Sequence, residues 1–340
     1  MKPRRLRRLY QWFGVFVLCC QGHAETSPQL VLVKTIPLAG YAGSFDHFAF
    51  DATRDRILLA AEDHATVDVF DLRNGTHLRT LTGFDKPHSI LVRPGAPTIL
   101  VTDSGASMSQ LLDASTYHKI RNVELALGAN CLLYDASKNR AYITTGGDRV
   151  HLPGSTLLAV NPDTGAVLRS LSLPSIHLQP MALDPVTNRL FVNMADKSTI
   201  GVVDTASLRI VAEWKITVAK DNSPIAFDNA HHRLFVVCAD PGMLVVLDAD
   251  TGKVTNAISV PADADDMDYD VSNHRLLIPG GDGFLGLYDV SDPDHVKQVG
   301  RIATRKGART GLLIPGQHKY VLAAPAAGQD AAQLMVYSIR

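Results

Sequence analysis

A unit of short strands and turns returns along this chain every 42 to 49 residues, and few folds can satisfy that spacing. Asp51 opens DATRDRILLA, Asp135 opens DASKNRAYIT and Asp184 opens DPVTNRLFVN. Asp228 opens DNAHHRLFVV and Asp270 opens DVSNHRLLIP. In each, an Arg follows five residues after the Asp: Arg56, Arg140, Arg189, Arg233 and Arg275. Two degenerate copies, around Arg93 and Ile314, complete a set of seven aligned positions: 51, 93, 135, 184, 228, 270 and 314. A strand-and-turn repeat of this length is a propeller blade. The chain therefore reads as an all-β, seven-bladed β-propeller of four-stranded blades spanning residues 25–340.

Within one repeat the four strands can be placed. Pro180 to Leu183 is the inner strand a, DPVTN is a turn, and Arg189 to Met194 is strand b. Thr199 to Val203 is strand c, and Arg209 to Ile216 is the outer strand d. Apolar runs bounded by Asp, Asn, Gly and Pro are strand signals. The aspartates that open the a–b and c–d turns accept local backbone hydrogen bonds, so they are structural rather than catalytic. The last repeat offers three strands, GLLI, KYVLAA and QLMVYSI. LVLVKTIPL, from Leu30 to Leu38, precedes the first blade and has the pattern of a strand d. It is expected to complete blade seven, joining the two ends of the chain and removing open sheet edges.

Residues 1–24 read as a signal peptide. Arg4, Arg5, Arg7 and Arg8 precede the short apolar run Trp12 to Cys20, and Gly22-His23-Ala24 offers small residues before Glu25. That pattern directs export, with cleavage near Ala24 and a destination in the periplasm or outside the cell. The apolar run is too short for a stable membrane span. Cys19-Cys20 lacks the small residues expected before a lipidated cysteine, and Arg7-Arg8 leaves the export route open between the general and twin-arginine pathways. Cleavage removes Lys2 and those four arginines, lowering Lys+Arg from 33 to 28 against 34 Asp+Glu, a net charge of −6 with His neutral. An acidic chain argues against nucleic acid as the main partner. Only Cys131 and Cys238 remain, a whole blade apart, and both read as buried free thiols.

The repeat units, D-x4-R followed by a short apolar strand and then V-x-D-x-x-T-G-K-V, resemble the YVTN repeats of YncE-like proteins. The resemblance covers nearly all of residues 30 to 340. It implies a secreted bacterial seven-bladed propeller, related to lactonase-type propellers, acting as a binding protein and in some members binding DNA. No catalytic motif carries over. The second and seventh repeats depart from the pattern, as does a long third b–c loop.

The inner strands begin at the channel mouth, on the face shared by the b–c loops and the d–a links. Five and four residues before the aligned positions stand Asp46/His47, His88/Ser89, Asn130/Cys131, Gln179/Pro180, Ser223/Pro224, Asp265/Asp266 and Arg309/Thr310. This ring is the candidate ligand site, centred on Asp46, His47, His88, Asn130, Asp265, Asp266 and Arg309. Asp268 joins it because it replaces Ala49, Leu91, Leu133, Ala182, Ala226 and Leu312 of the other blades. An acid in an inner strand is costly unless paired, hydrated or protonated. Arg309 is its candidate partner. The long loop from Thr145 to Ser155 brings Asp148, Arg149 and His151 to the same face.

His47, His88 and Asp266, with Asn130, are candidate ligands for a divalent metal. No phosphate-binding loop, serine nucleophile motif, haem attachment motif or EF-hand is present. Two functions follow as expectations. One is a monomeric, non-catalytic binding protein holding a small molecule or an envelope protein at the mouth. The other is a metal-assisted lactonase or related hydrolase at the same ring. Single-stranded DNA binding, which needs aromatic platforms on a basic groove, ranks third.

Overall fold

The computed structural model of the protein describes residues 30–105 and 108–339. The expected signal peptide and its cleavage site lie outside them. Seven four-stranded antiparallel sheets form the blades of a propeller. In the first blade the strands are Phe48–Asp51, Arg56–Ala61, Thr66–Asp71 and Thr76–Leu81, running from the channel outward. The repeat analysed above becomes Leu178–Asp184, Arg189–Met194, Thr199–Asp204 and Arg209–Lys215, with a 3₁₀ turn at Ala195–Lys197 between strands b and c. Among the described residues no helix is long and apolar enough to cross a membrane.

Ring closure follows the expectation. Leu30–Pro37 pairs antiparallel with Gln333–Ile339, from Leu30 opposite Ile339 to Pro37 opposite Gln333. It supplies the outer strand of blade seven, whose other strands are Lys319–Ala324 and Thr310–Ile314.

Apolar side chains on both faces of each sheet are explained by the packing. The core divides into seven hydrophobic clusters, one at each blade interface. Phe191 and Val236 meet between blades four and five, and Ile57 and Leu334 meet between blades one and seven. Glycine in the DTG turn is required by the same packing. Gly252 has a φ of +72°, and a Cβ there would lie 2.1 Å from the ring of Trp214 on the neighbouring outer strand.

The turn aspartates are structural, as read. Asp51, Asp135, Asp184 and Asp228 each accept a hydrogen bond from the backbone N–H two residues on. The arginines five residues later do more than close their own turns. Arg56 donates to Tyr117 Oη, Arg140 to the Thr205 carbonyl, Arg189 to the Ala249 carbonyl and Arg233 to both Asp294 carboxylate oxygens. Each partner lies in the c–d turn of the next blade, so the repeated Arg clasps neighbours. Arg189 alone also pairs with its own turn acid, Asp184, at 3.2 Å. The Arg233 clasp is bidentate, with both contacts at 2.8 Å. Arg233→Ala is therefore expected to lower stability by ~1–3 kcal/mol in denaturant titrations. Arg233→Lys should recover only part, because an ammonium cannot make both parallel contacts.

Candidate functional site

The ring at the channel mouth is made by a break in strand pairing. In blades two, four and five the a–b register shifts between Pro87 and Ile90, Leu178 and Met181, and Asn222 and Ile225. The residues inside those irregularities are His88/Ser89, Gln179/Pro180 and Ser223/Pro224, which are the ring positions. In blade one, Asp46 N–H donates to the Ala60 carbonyl and Ala60 N–H to the His47 carbonyl, so the chain is tied there without continuous pairing. Such bulges re-aim side chains and are common beside functional sites.

Below the mouth lies a cavity of about 240 Å³ to which all seven blades contribute. Two rings wall it. The upper holds His47, Ser89, Cys131, Pro180, Pro224 and Asp266, and the lower holds Phe48, Ile90, Leu132, Met181, Ile225 and Met267. Gly311 and Leu312 close it on blade seven, and Asp265 and Asp268 add carboxyls on blade six. The cavity is chemically two-sided. Blades one and six present imidazole and carboxyl groups, whereas blades four and five present Pro180, Met181, Pro224 and Ile225. Met181 and Ile225 also line a more apolar hollow of about 610 Å³ on the opposite side of the disk, with Leu133, Leu183 and Phe227.

A hydrogen-bonded chain of alternating imidazoles and carboxylates crosses the polar side. Ser104 Oγ lies 2.8 Å from His88 Nε2, and His88 Nδ1 contacts Asp46 Oδ2. Asp46 Oδ1 accepts from the His47 backbone N–H at 2.8 Å and lies 3.3 Å from His47 Nε2. His47 Nδ1 then meets Asp266 Oδ1 at 2.8 Å, and Asp266 Oδ2 accepts from the Gly311 N–H at 3.0 Å. His47 and Asp266 belong to blades one and six, so this contact passes in front of blade seven. Gly311 makes room for the Tyr320 ring, since a Cβ there would fall 2.0 Å from its hydroxyl.

The charges follow from these contacts. Burial opposes ionisation of Asp46, but His47 and His88 outweigh it and hold the carboxyl well below the usual range. Burial likewise opposes protonation of His47, but Asp46 and Asp266 push its imidazole well above the usual value. Burial, with repulsion from Asp46, raises Asp265 to about 6. Burial, with repulsion from Asp266, raises Asp268 to about 8, so Asp268 is mostly a neutral acid at pH 7. Asp268 Oδ2 is shielded from solvent and has no hydrogen-bond partner, and the same is true of the buried Tyr320 hydroxyl.

The expected site residues therefore divide. His47, Asp265, Asp266 and Asp268 line the cavity, and Asp46 and His88 stand behind His47. Arg309 is on the rim, paired with Asp263 at 2.8 Å and facing Asp265 at 3.8 Å, so its partners are these acids rather than Asp268. Asn130, Asp148 and Arg149 line a separate hollow of about 20 Å³ with His177, and His177 lies 3.5 Å from Asp148. His151 is exposed at the end of the 3₁₀ turn Asp148–Val150 and lines neither cavity.

Cys131 is buried and free, as read, but it also lines the channel in the same ring as His47. It stands in the same repeat column as His47 and Asp266, and that column was the signal for it. The proposed metal ligands are occupied with one another. Both ring nitrogens of His47 and of His88 already face a carboxylate or hydroxyl. Among the described residues, the acid, imidazole and thiol atoms that gather within 4.8 Å in a group of three belong to Asp46, Glu62 and His88. That set shares only His88 with the expected one. In this arrangement His88 faces Asp46 and Ser104.

No protein-family model and no curated protein matches this chain. Among solved structures it is similar to a chain of the "Crystal Structure of Mitotic Checkpoint Complex", with a TM-score of 0.73 and 12% sequence identity over 98% of this chain and 99% of that one. A likeness at that identity is one of propeller fold.

Proposed function

We propose that this chain is a secreted, non-catalytic binding protein of the YncE-like kind, acting in the periplasm or outside the cell and holding a small ligand in the channel mouth. The propeller fold is consistent with a binding or scaffold role. The observation that carries the finer reading is the single cavity shared by seven blades, with a polar wall facing an apolar one. Small-molecule sites are concave, mostly apolar and set by a few placed polar groups. The hydrolase alternative needs a bound ion, and the engaged imidazole nitrogens favour binding over it.

The test is to fill the cavity without touching its charges. Met181→Trp places a large ring on the apolar wall. A metabolite library screened by thermal shift against the mature protein should yield ligands that raise the Tm of the wild type. Met181→Trp should abolish those shifts while keeping its own Tm within a few degrees. Ligands that stabilise both proteins equally bind elsewhere and would remove the channel from the reading.

A further inference from the structure

We infer that the channel site selects a compact organic cation, an ammonium or guanidinium group carried on a short apolar body. This rests on the reading of the channel as the ligand site and names its chemistry.

The first observation is the balance of charge at the mouth. Asp46, Asp263, Asp265, Asp266 and Asp268 meet there, against His47, His88 and Arg309. Each cationic group is already committed. His47 sits between Asp46 and Asp266, His88 contacts Asp46, and Arg309 lies between Asp263 and Asp265. An anion entering the cavity would find every positive group held by a carboxylate and would face further acids. A cation would find carboxyl groups left over.

The second observation concerns the surroundings of one of those acids. Asp268 lines the cavity, its Oδ2 has no partner, and it stands where every other blade has Ala or Leu. A terminal carboxyl torsion is broad and two-fold, so either oxygen can turn toward a donor in the cavity. A carboxyl with one unpartnered oxygen in this position costs stability and is a candidate for ligand contact.

The third is shape. Pro180, Met181, Pro224 and Ile225 face the acids and offer no charged group, so the part of the ligand beyond its cationic head is apolar. A bare metal ion has no use for that wall. Nor do the cavity acids supply a cage for one, because Asp265, Asp266 and Asp268 are not among the described groups whose ligand atoms gather within 4.8 Å.

The experiment uses three probes of one shape, titrated calorimetrically into the mature protein at pH 7.5: 2-phenylethylamine, 2-phenylethanol and 3-phenylpropionate. The amine is expected to bind at least ~10-fold more tightly than the alcohol, and the carboxylate least. Asp268→Asn and Asp265→Asn should each bring the amine down toward the alcohol, and the alcohol should be nearly indifferent to both changes. Asp268→Asn keeps the shape of the neutral acid but cannot ionise against a cation, so it tests charge without threatening the fold. If the alcohol or carboxylate matches the amine and Met181→Trp removes the binding, the cation inference fails and the channel reading stands. If none of the three binds, the cation inference fails, and the library screen with Met181→Trp decides the channel reading.

Discussion

Asp268→Asn is expected to make the protein more stable, and increasingly so as the pH rises. The sign follows from the acid's position. In the unfolded chain an aspartate loses its proton near pH 4, whereas burial and the nearby Asp266 push Asp268 up to about 8 in the fold. The folded state therefore holds a proton that the unfolded state has released. Stability from this group is fully present below pH ~4, falls as the pH rises toward about 8, and does not recover above it. Asparagine stays neutral throughout and removes that slope. Each unit of pKa difference is worth at most ~1.4 kcal/mol, and relaxation around the charged form lowers the total. The variant should come within ~1 kcal/mol of the wild type near pH 4.5 and exceed it by ~2–4 kcal/mol near pH 8.5. Denaturant titrations of both proteins at those two values, with one between, check this. Parallel curves would show that Asp268 is solvated or already paired. The raised His47 contributes stability in the same pH direction, present at low pH and lost as pH passes its folded value, but it is common to both proteins and cancels in the difference.

Deleting the outer strand Leu30–Pro37 should have a larger and less graded effect. The strand pairs along its length with Gln333–Ile339, broken by one bulge between Leu32 and Lys34, and buries Leu30 and Ile36, and the adjoining Leu38 is buried as well. Each buried aliphatic side chain contributes ~1.5–3 kcal/mol, and each ladder hydrogen bond a net ~0.5–1.5 kcal/mol. Their sum is comparable with the whole net stability of a typical domain, ~5–15 kcal/mol. The loss also bares the strand Gln333–Ile339, whose LMVY run would become an exposed apolar edge. The truncated chain is expected to aggregate or to lose its cooperative melt, as read by light scattering and circular dichroism. The peptide LVLVKTIP added in trans should restore a monomeric, cooperatively melting protein by adding the missing strand. A truncated protein that stays monomeric with an unchanged Tm would show that the ring is closed by packing alone.

The fold was legible because it is periodic. Asp51, Asp135, Asp184, Asp228 and Asp270 mark the same turn five times, and a local hydrogen-bonding role repeats wherever the residue does. Even the closing strand could be placed, since LVLVKTIPL lacked a blade of its own. What the arginines do was only half legible. Arg56, Arg140 and Arg233 reach into the next blade, and a contact between repeats leaves no trace in the spacing within one.

The site was legible as a column and not as a set of contacts. Alignment by repeat placed His47, Asp266 and Asp268 on one axis, and it contained Cys131, whose small apolar character hid its place beside His47. Alignment could not tell that Asn130 turns to a different hollow, because one residue of difference at a bulge changes the face a side chain occupies. Nor could it show that His47 meets Asp266 across an intervening blade, a contact between repeats that are not neighbours.

The pairing of Leu30 with Ile339 has a consequence for how the molecule can be held. Leu30 and Ile339 meet on the side of the disk that carries the a–b and c–d turns, away from the mouth. A tether, a fusion partner or an immobilising tag attached through either end therefore grips the disk from beneath. In every such attachment the acidic opening is turned outward, free to meet what diffuses past.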